Sequence, residues 1–256
     1  MAPATVVLTV ERVQDAASRV GVTLTDEQAG QLVRYGQLLV DANNRFNLTS
    51  VADETGILYR HFADSLTAVR VCDRLCGAEG PSDHAIRLID LGTGAGLPGI
   101  PLKIARPRLD ITLVDGTGKK VDFCRQVIRE LGLEGITALK GRAEELAHQV
   151  GHRGRYDVAV ARAVAPLPLL AEYMLPLLRL GGTALAMKGA NAAAEIELAR
   201  RAIAAVGGQL DQVEEFTLPE VGHRRTLVVL KKVKPTPDAY PRPGGTPRLR
   251  RTVQKT

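Results

Sequence analysis

Apolar and polar positions divide the chain into two differently patterned parts. Between residues 25 and 42, Leu32, Val33, Gly36, Leu39 and Val40 recur on one helical face, and Thr25 and Gln28 have the spacing of a capping box. The stretch therefore predicts an amphipathic helix. A shorter helix is predicted near residues 10 to 19. From Asp53 to Arg74, Ile57, Leu58, His61, Phe62, Ser65 and Val69 again have helical spacing, and Gly77 to Asp83 form a polar break. Beyond it, short apolar runs alternate with helical ones. Strands are predicted at Ile86 to Leu91, Ile111 to Asp115, Ile136 to Lys140, Tyr156 to Ala161, Gly182 to Met187, Gln209 to Thr217 and Arg225 to Lys232. Helices are predicted at 98 to 105, 119 to 131, 143 to 149, 167 to 178 and 191 to 206. Five strands alternating with helices imply right-handed parallel crossovers and a doubly wound sheet. Only a turn region with Pro219 and Gly222 separates the last two strands, so they are expected to pair as an antiparallel hairpin. The expected fold class is α/β: a helical extension over 1–84, a Rossmann-like seven-stranded sheet over 85–233, and a tail over 234–256.

The strongest local motif runs from Asp90 to Gly99, Asp-Leu-Gly-Thr-Gly-Ala-Gly-Leu-Pro-Gly, directly after the first strand and before a helix. Glycines there let backbone turn sharply against a ligand, in the crevice where open α/β sheets bind one. Two cofactors compete for the loop. Gly94, Gly96 and Gly99 satisfy the dinucleotide spacing, whereas Asp90, Gly92, Gly94 and Gly96 have the spacing of S-adenosylmethionine (AdoMet) methyltransferases. The acid before the first glycine and the hairpin ending of the sheet favour AdoMet. Asp90 has two readings, a cofactor contact or a carboxylate that binds the loop amides. Asp115, which ends the second strand, is positioned to accept both ribose hydroxyls in either cofactor class. After the third strand, Ala143 and Glu144 fall where a methyltransferase recognises adenine, although an acid there also suits a helix N-terminus.

Length and charge sharpen the picture. The 256 residues, 45% of them hydrophobic, are enough for one substantial core. No apolar run approaches the roughly 18 residues of a membrane helix, and residues 1 to 10 lack the marks of a signal peptide. Three cysteines, Cys72, Cys76 and Cys124, are too few and too odd in number for a disulfide framework and read as reduced buried thiols. The expected location is the cytoplasm. The net charge of +6 is concentrated at one end. From Lys231 onward, Lys231, Lys232, Lys234, Arg242, Arg248, Arg250, Arg251 and Lys255 face Asp238 alone, a net of +7 that leaves −1 for the rest. Such a Pro- and Gly-rich basic tail suits a phosphate backbone, or is simply solvated.

Several short runs then combine in order: Asn47-Leu48-Thr49, Arg60-His61, Asp64-Ser65-Leu66, the loop from Asp90 through Pro101, Arg142-Ala143-Glu144, Ala161 to Ala165, Lys188-Gly189 and Tyr240-Pro241-Arg242. Together they resemble the RsmG (GidB) family across residues 47 to 242. The resemblance implies a class I AdoMet methyltransferase that modifies N7 of a guanine in 16S ribosomal RNA, on the free RNA or in a small-subunit particle. Gly92, Leu97, Asp115, Ala143, Glu144 and Arg162 match the family's cofactor positions. The chain departs from the family at Lys120, where an arginine is usual, and at Pro243, where a second arginine is usual.

Guanine N7 carries a free lone pair, so its methylation needs alignment of two reactants and exclusion of water but no general base. The chain has no Asn-Pro-Pro-Tyr after the fourth strand, as an amino-group methylase would, and no cysteine placed for cytosine C5 chemistry. Arg162 and Lys188, at the ends of the fourth and fifth strands, are the catalytic candidates as positioning groups; each also reads as a cation paired with a nearby acid. The cofactor candidates are Asp90, Gly92, Gly94, Gly96, Leu97, Asp115, Ala143, Glu144 and Arg162. The RNA candidates are Arg60, His61, Arg142, Arg225, Arg242 and Arg248. Arg60 and Asp64 also read as a helix-surface ion pair, and His61 as a core histidine. No metal is expected. A small-molecule methyltransferase and a nicotinamide-dependent oxidoreductase are the competing functions.

Overall fold

A computed structural model describes residues 7–46, 48–77, 85–190 and 192–242. The first two expected helices are α1 (Val10–Ser18) and α2 (Asp26–Phe46). The capping box closes on both sides, with the Gln28 amide N–H donating to Thr25 Oγ1 at 3.2 Å and the Thr25 N–H to Gln28 Oε1 at 3.0 Å. The Gln28 side chain also donates to the Ile104 carbonyl at 2.9 Å, at the end of α5 (Gly99–Ala105). One residue thus both starts α2 and docks it. On the buried face, Tyr35 stacks on Phe62 at 5.6 Å and donates its hydroxyl to the Ala95 carbonyl at 2.6 Å. That bond ties the helical layer to the glycine loop.

The stretch expected as one helix from Asp53 to Arg74 is broken into pieces. A π-helix covers Gly56–Ala63, one α-turn follows as α3 (Asp64–Leu66), and α4 (Val69–Gly77) begins past Thr67 and Ala68. Nearly every side chain from Gly56 to Leu66 is buried, so no amphipathic stripe enforces a single period. Ser65 and Thr67 hydroxyls also bond the His61 and Asp64 carbonyls at 2.6 Å each, in competition with regular helical pairing.

The sheet agrees closely with the sequence pattern. Its strands are β1 (Arg87–Leu91), β2 (Asp110–Asp115), β3 (Ile136–Lys140), β4 (Tyr156–Arg162), β5 (Leu178–Lys188), β6 (Gly208–Thr217) and β7 (Arg224–Lys232), in the order β3-β2-β1-β4-β5-β7-β6. The first five are parallel, and β7 runs antiparallel to both β5 and β6. Helices α6 (Gly118–Glu130), α7 (Ala143–Leu146), α8 (Leu167–Met174) and α9 (Ala192–Ala205) complete the crossovers. Leu88, Val158, Leu185 and Leu227 turn to a core shared with α1, α2, α5 and α6, while Ile89, Ala159, Ala184 and Val228 turn to α8 and α9. Alternate residues of each strand therefore feed two cores, as a sheet covered on both faces requires. Because the chain leaves β1 toward β2 on one side and returns to β4 on the other, a crevice opens above their C-terminal ends.

Past β7 the chain folds back onto the domain. Arg153 donates to the Tyr240 and Thr236 carbonyls at 2.8 and 3.0 Å, and His148 pairs with the Pro241 carbonyl at 2.8 Å. Arg242 binds the buried Glu172 of α8 through its backbone N–H and Nε at 2.8 Å and Nη2 at 2.7 Å. Lys232 is buried with Nζ on the Val206 carbonyl at 2.9 Å. Lys232 and Arg242, counted in the basic C-terminal end expected to face phosphate or solvent, are thus turned inward, because a buried carboxylate and a helix-end carbonyl need donors. Arg248, Arg250, Arg251 and Lys255 lie outside the described residues.

Burial pushes the Glu172 carboxyl up, but the hydrogen bonds and charge of Arg242 outweigh it and hold the group below the usual carboxylate range. A depressed folded pKa contributes stability that is present above the unfolded value of about 4.3 and lost as pH falls through the folded value. Arg242→Ala is expected to cost about 1 to 3 kcal/mol in urea unfolding at neutral pH, the penalty of an unpaired buried acceptor. The gap to the parent should narrow on acidification through that window. An equal gap in acid and at neutrality would mean that packing, and not charge, holds the strap.

Candidate active site

The loop between β1 and α5 is shaped by glycines in the left-handed region. Gly92, Gly94 and Gly96 have φ of 67°, 61° and 97°. Two carboxylates fix it from either side. Asp90, fully buried at the end of β1, accepts from Thr93 Oγ1 at 2.6 Å and the Gly99 N–H at 2.9 Å, while its Oδ1 has no partner. Burial pushes its pKa up to about 6 against the pull of these two bonds and of Arg162. Asp115, at the end of β2, accepts from the Gly94 N–H at 3.0 Å and the Thr117 N–H at 2.8 Å. From α6 below, the Cys124 thiol lies 3.6 Å from the Gly94 carbonyl, and burial followed by the two nearby carboxylates raises its pKa strongly.

A cavity of about 590 Å³ opens over this loop, within the size range of small-ligand sites. Gly92, Gly94 and Leu97 line one side and Arg60, His61, Asp64, Arg162, Lys188 and Arg225 the other. The opposing wall is cationic yet internally paired. Asp64, with 5% of its side chain exposed, accepts from Arg162 Nη1 at 3.1 Å and from Arg225 Nε at 3.0 Å. Arg162 Nη1 also donates to the Arg60 carbonyl at 3.0 Å. Lys188 Nζ sits 2.8 Å from Glu195 and 3.0 Å from the Ala165 carbonyl, and Glu195 also accepts from the Leu167 N–H at 2.8 Å. His61 bonds the Val51 carbonyl through Nε2 at 3.0 Å, and burial first, then the Arg162 charge, lowers its pKa to about 4. It is neutral at pH 7.

The chain matches, over residues 28–228, the family model GidB, described as rRNA small subunit methyltransferase G. The ribosomal RNA small subunit methyltransferase G of Leuconostoc citreum is 43% identical over 240 residues, covering 94% of this chain and 98% of that protein. The proteins of the same name from Deinococcus radiodurans and a Roseiflexus species are 48% and 47% identical, covering 85% and 90% of this chain and 83% and 94% of theirs. This chain belongs to the GidB family.

In this GidB member the sequence-predicted residues among those described fall into four places. Gly92, Gly94, Leu97, Arg60, His61, Arg162, Lys188 and Arg225 share the cavity wall. Asp115, Arg142, Ala143 and Glu144 lie outside that wall, at the ends of β2 and β3, where the Arg142 guanidinium crosses Gly116 closely enough that a Cβ there would sit 3.1 Å from Nε. Asp90 lies beneath the loop, Gly96 is a buried part of the loop against Ile100 and Tyr35, and Arg242 is held by Glu172 on α8. The helix-surface pairing of Arg60 with Asp64 is corrected: Asp64 points inward and takes its partners from β4 and β7. Sequence reasoning also missed Tyr35 beneath the loop, Glu195 behind Lys188, and Val164. The short motifs contained Val164, as they did Asp64, but gave no signal for Tyr35 or Glu195.

Val164 explains the first glycine of the loop. A Cβ on Gly92 would lie 2.5 Å from Val164 Cγ2, in addition to the left-handed backbone. Gly92→Ala is therefore expected to lose about 1 to 2 kcal/mol from the backbone term alone, and more from the clash, read as a lower unfolding midpoint. Adding Val164→Ala should recover the clash part and leave the backbone part. If the double variant is no better than Gly92→Ala, the contact is not what requires glycine here.

Proposed function

We propose that this chain transfers a methyl group from AdoMet to N7 of a guanine in 16S ribosomal RNA, in the cytoplasm, on the RNA or on a small-subunit particle. The residues fit the cofactor. Gly92 and Gly94 present left-handed backbone to an open cavity, and Asp115 uses one lone pair of Oδ2 on Gly94 and one of Oδ1 on Thr117, so each oxygen keeps capacity for a ribose hydroxyl. Ala143 and Glu144 follow β3, which pairs with β2 beside Asp115, and this supports the adenine position that the family resemblance gives them. Among the described residues, no helix is long and apolar enough to cross a membrane, and no cluster of His, Cys, Asp or Glu is arranged to hold a metal.

One observation carries the choice of reaction: each acid in the cavity wall is already bonded to a cation. Asp64 holds Arg162 and Arg225, Glu195 holds Lys188, and His61 is neutral and bonded. Neither acid is free to remove a proton, His61 Nδ1 has no partner but is buried on a weakly basic ring, and methylation of N7 requires no base. When bound, AdoMet supplies a methyl group on a cationic sulfur. The chain's own residues then have three tasks. Arg162 and Lys188, fixed by their acids, orient the base from the strand ends. A bidentate grip of Arg162 on both O6 and N7 would block the reacting atom, so its role is one of placement. The loop and Val164 limit water at the transfer point, and Arg60, Arg225 and Arg142 meet the RNA strand.

The decisive experiment is incubation with labelled AdoMet and 16S RNA or small subunits, followed by mapping of the modified base. Label at a site other than guanine N7 would refute the reading. The cofactor is tested without turnover by calorimetry: Asp115→Ala is expected to weaken AdoMet by about 1.5 to 3 kcal/mol, the range for a hydrogen bond to a charged group. Unchanged affinity would remove Asp115 from the ribose position.

A further inference from the structure

We propose that Arg162 and Arg225, held on the buried carboxylate of Asp64, and Arg60 from the same cavity wall form a seat for one backbone phosphate of the RNA beside the target nucleotide. The proposal rests on the reading of the chain as an RNA methyltransferase. Asp64 is its positioning residue.

The charge balance of the seat is the first observation. Two guanidinium groups share one carboxylate and a third, that of Arg60, lines the same cavity, which leaves two positive charges on that wall. Among the described residues, the structure gives the Arg60 guanidinium no hydrogen bond or ion pair. Arg162 engages only Nη1, on Asp64 and on the Arg60 carbonyl. Arg225 uses Nε on Asp64 and Nη1 on the Arg224 carbonyl at 3.3 Å. The remaining N–H donors, in fixed planar forks, match the oxygens of a phosphate. Lys188 differs: its charge is cancelled by Glu195 at 2.8 Å.

The uncompensated charge favours a phosphate over the other anion near such a site, the carboxylate of the methionine moiety, because that carboxylate comes with an ammonium group that two extra positive charges repel, whereas a backbone phosphate carries no cation. The glycine loop follows β1 and is anchored toward β2 by Asp115. Arg225 starts β7, three strands away in the order β1-β4-β5-β7, roughly 14 Å along the sheet at 4.7 to 4.9 Å per strand. The Arg225 side chain reaches back across that interval, so that Asp64 meets Arg162 through Oδ2 and Arg225 through Oδ1 and gathers both guanidinium groups at one carboxylate. Two arginine arms held before binding lose less freedom when the ligand arrives.

The seat is tested by equilibrium binding of in vitro transcribed 16S RNA to the full chain across a range of salt concentrations. AdoMet affinity by calorimetry, steady-state methylation and thermal unfolding are measured in parallel. Arg225→Gln and Arg60→Gln should each flatten the slope of log affinity against log salt by about 0.7 to 0.9, with AdoMet affinity within about twofold of the parent. Asp64→Asn supplies the opposite control. If the wall acted only by net charge, removing a carboxylate would tighten RNA binding. A seat that needs its arms pinned should instead show a higher KM for RNA, by about tenfold or more, with AdoMet affinity kept and Asp64→Glu recovering part of the loss. Unchanged slopes for both arginine variants would overturn the phosphate seat, even if Asp64→Asn fails to fold. Loss of AdoMet affinity with intact slopes would overturn it as well, in favour of the methionine carboxylate. If the parent neither binds nor methylates the RNA, it is the underlying functional reading that falls.

Discussion

The site depends on the buried carboxylate of Asp90. A loop with three left-handed glycines has little side chain to anchor it and a large conformational entropy to lose. Asp90 supplies the anchor from below, joining Thr93 at the start of the loop to Gly99 at the first turn of α5. The arrangement has a cost, visible in an oxygen with no partner and in a pKa raised to about 6. A protein retains so unfavourable a group where no apolar residue can do the same work, and here the work is to keep backbone exposed to a cavity. Tyr35 and Asp115 act on the same loop from α2 and β2, so three separate elements define one turn of chain.

Asp64 plays the matching part on the opposite wall. Its partners Arg162 and Arg225 are 98 and 161 residues away in sequence. A local rule applied to Arg60 and Asp64 gave a surface ion pair, because four-residue spacing on a helix ordinarily does. The rule fails where the helix itself is buried and irregular, and where the carboxylate faces the ends of two strands. The wall is therefore a joint product of the N-terminal layer and the last strand of the sheet, and neither half contains it.

The same distinction separates what was legible in the sequence from what was not. The seven strands and the hairpin ending were readable because apolar alternation and turn residues are local signals, and the Thr25 and Gln28 box was readable because it closes within four residues. The π-helix was not, since a segment buried on all sides offers no stripe from which to take a period. The tail charge was legible as a total but not in its placement: Lys232 and Arg242 count as cations in composition, yet one supports the Val206 carbonyl and the other a buried glutamate. At the site, the glycines and strand-end cations were visible as residue types. Their pairing with Asp64 and Glu195, which leaves neither acid of the cavity wall as a free base, needed the fold.

The place of β7 in the sheet bears on how the protein is made. β6 has no neighbour in the sheet except β7, which inserts between it and β5. During synthesis, β6 emerges first and has nothing to pair with, and β5 shows an open edge of the kind that invites wrong partners. Asp64 likewise waits for Arg225 while 161 further residues are added, roughly 8 to 32 seconds at 5 to 20 residues per second. The cavity closes only when nearly the whole chain is out. Partial products of translation therefore carry a glycine loop and a half-built sheet, but no complete wall with which to act on RNA.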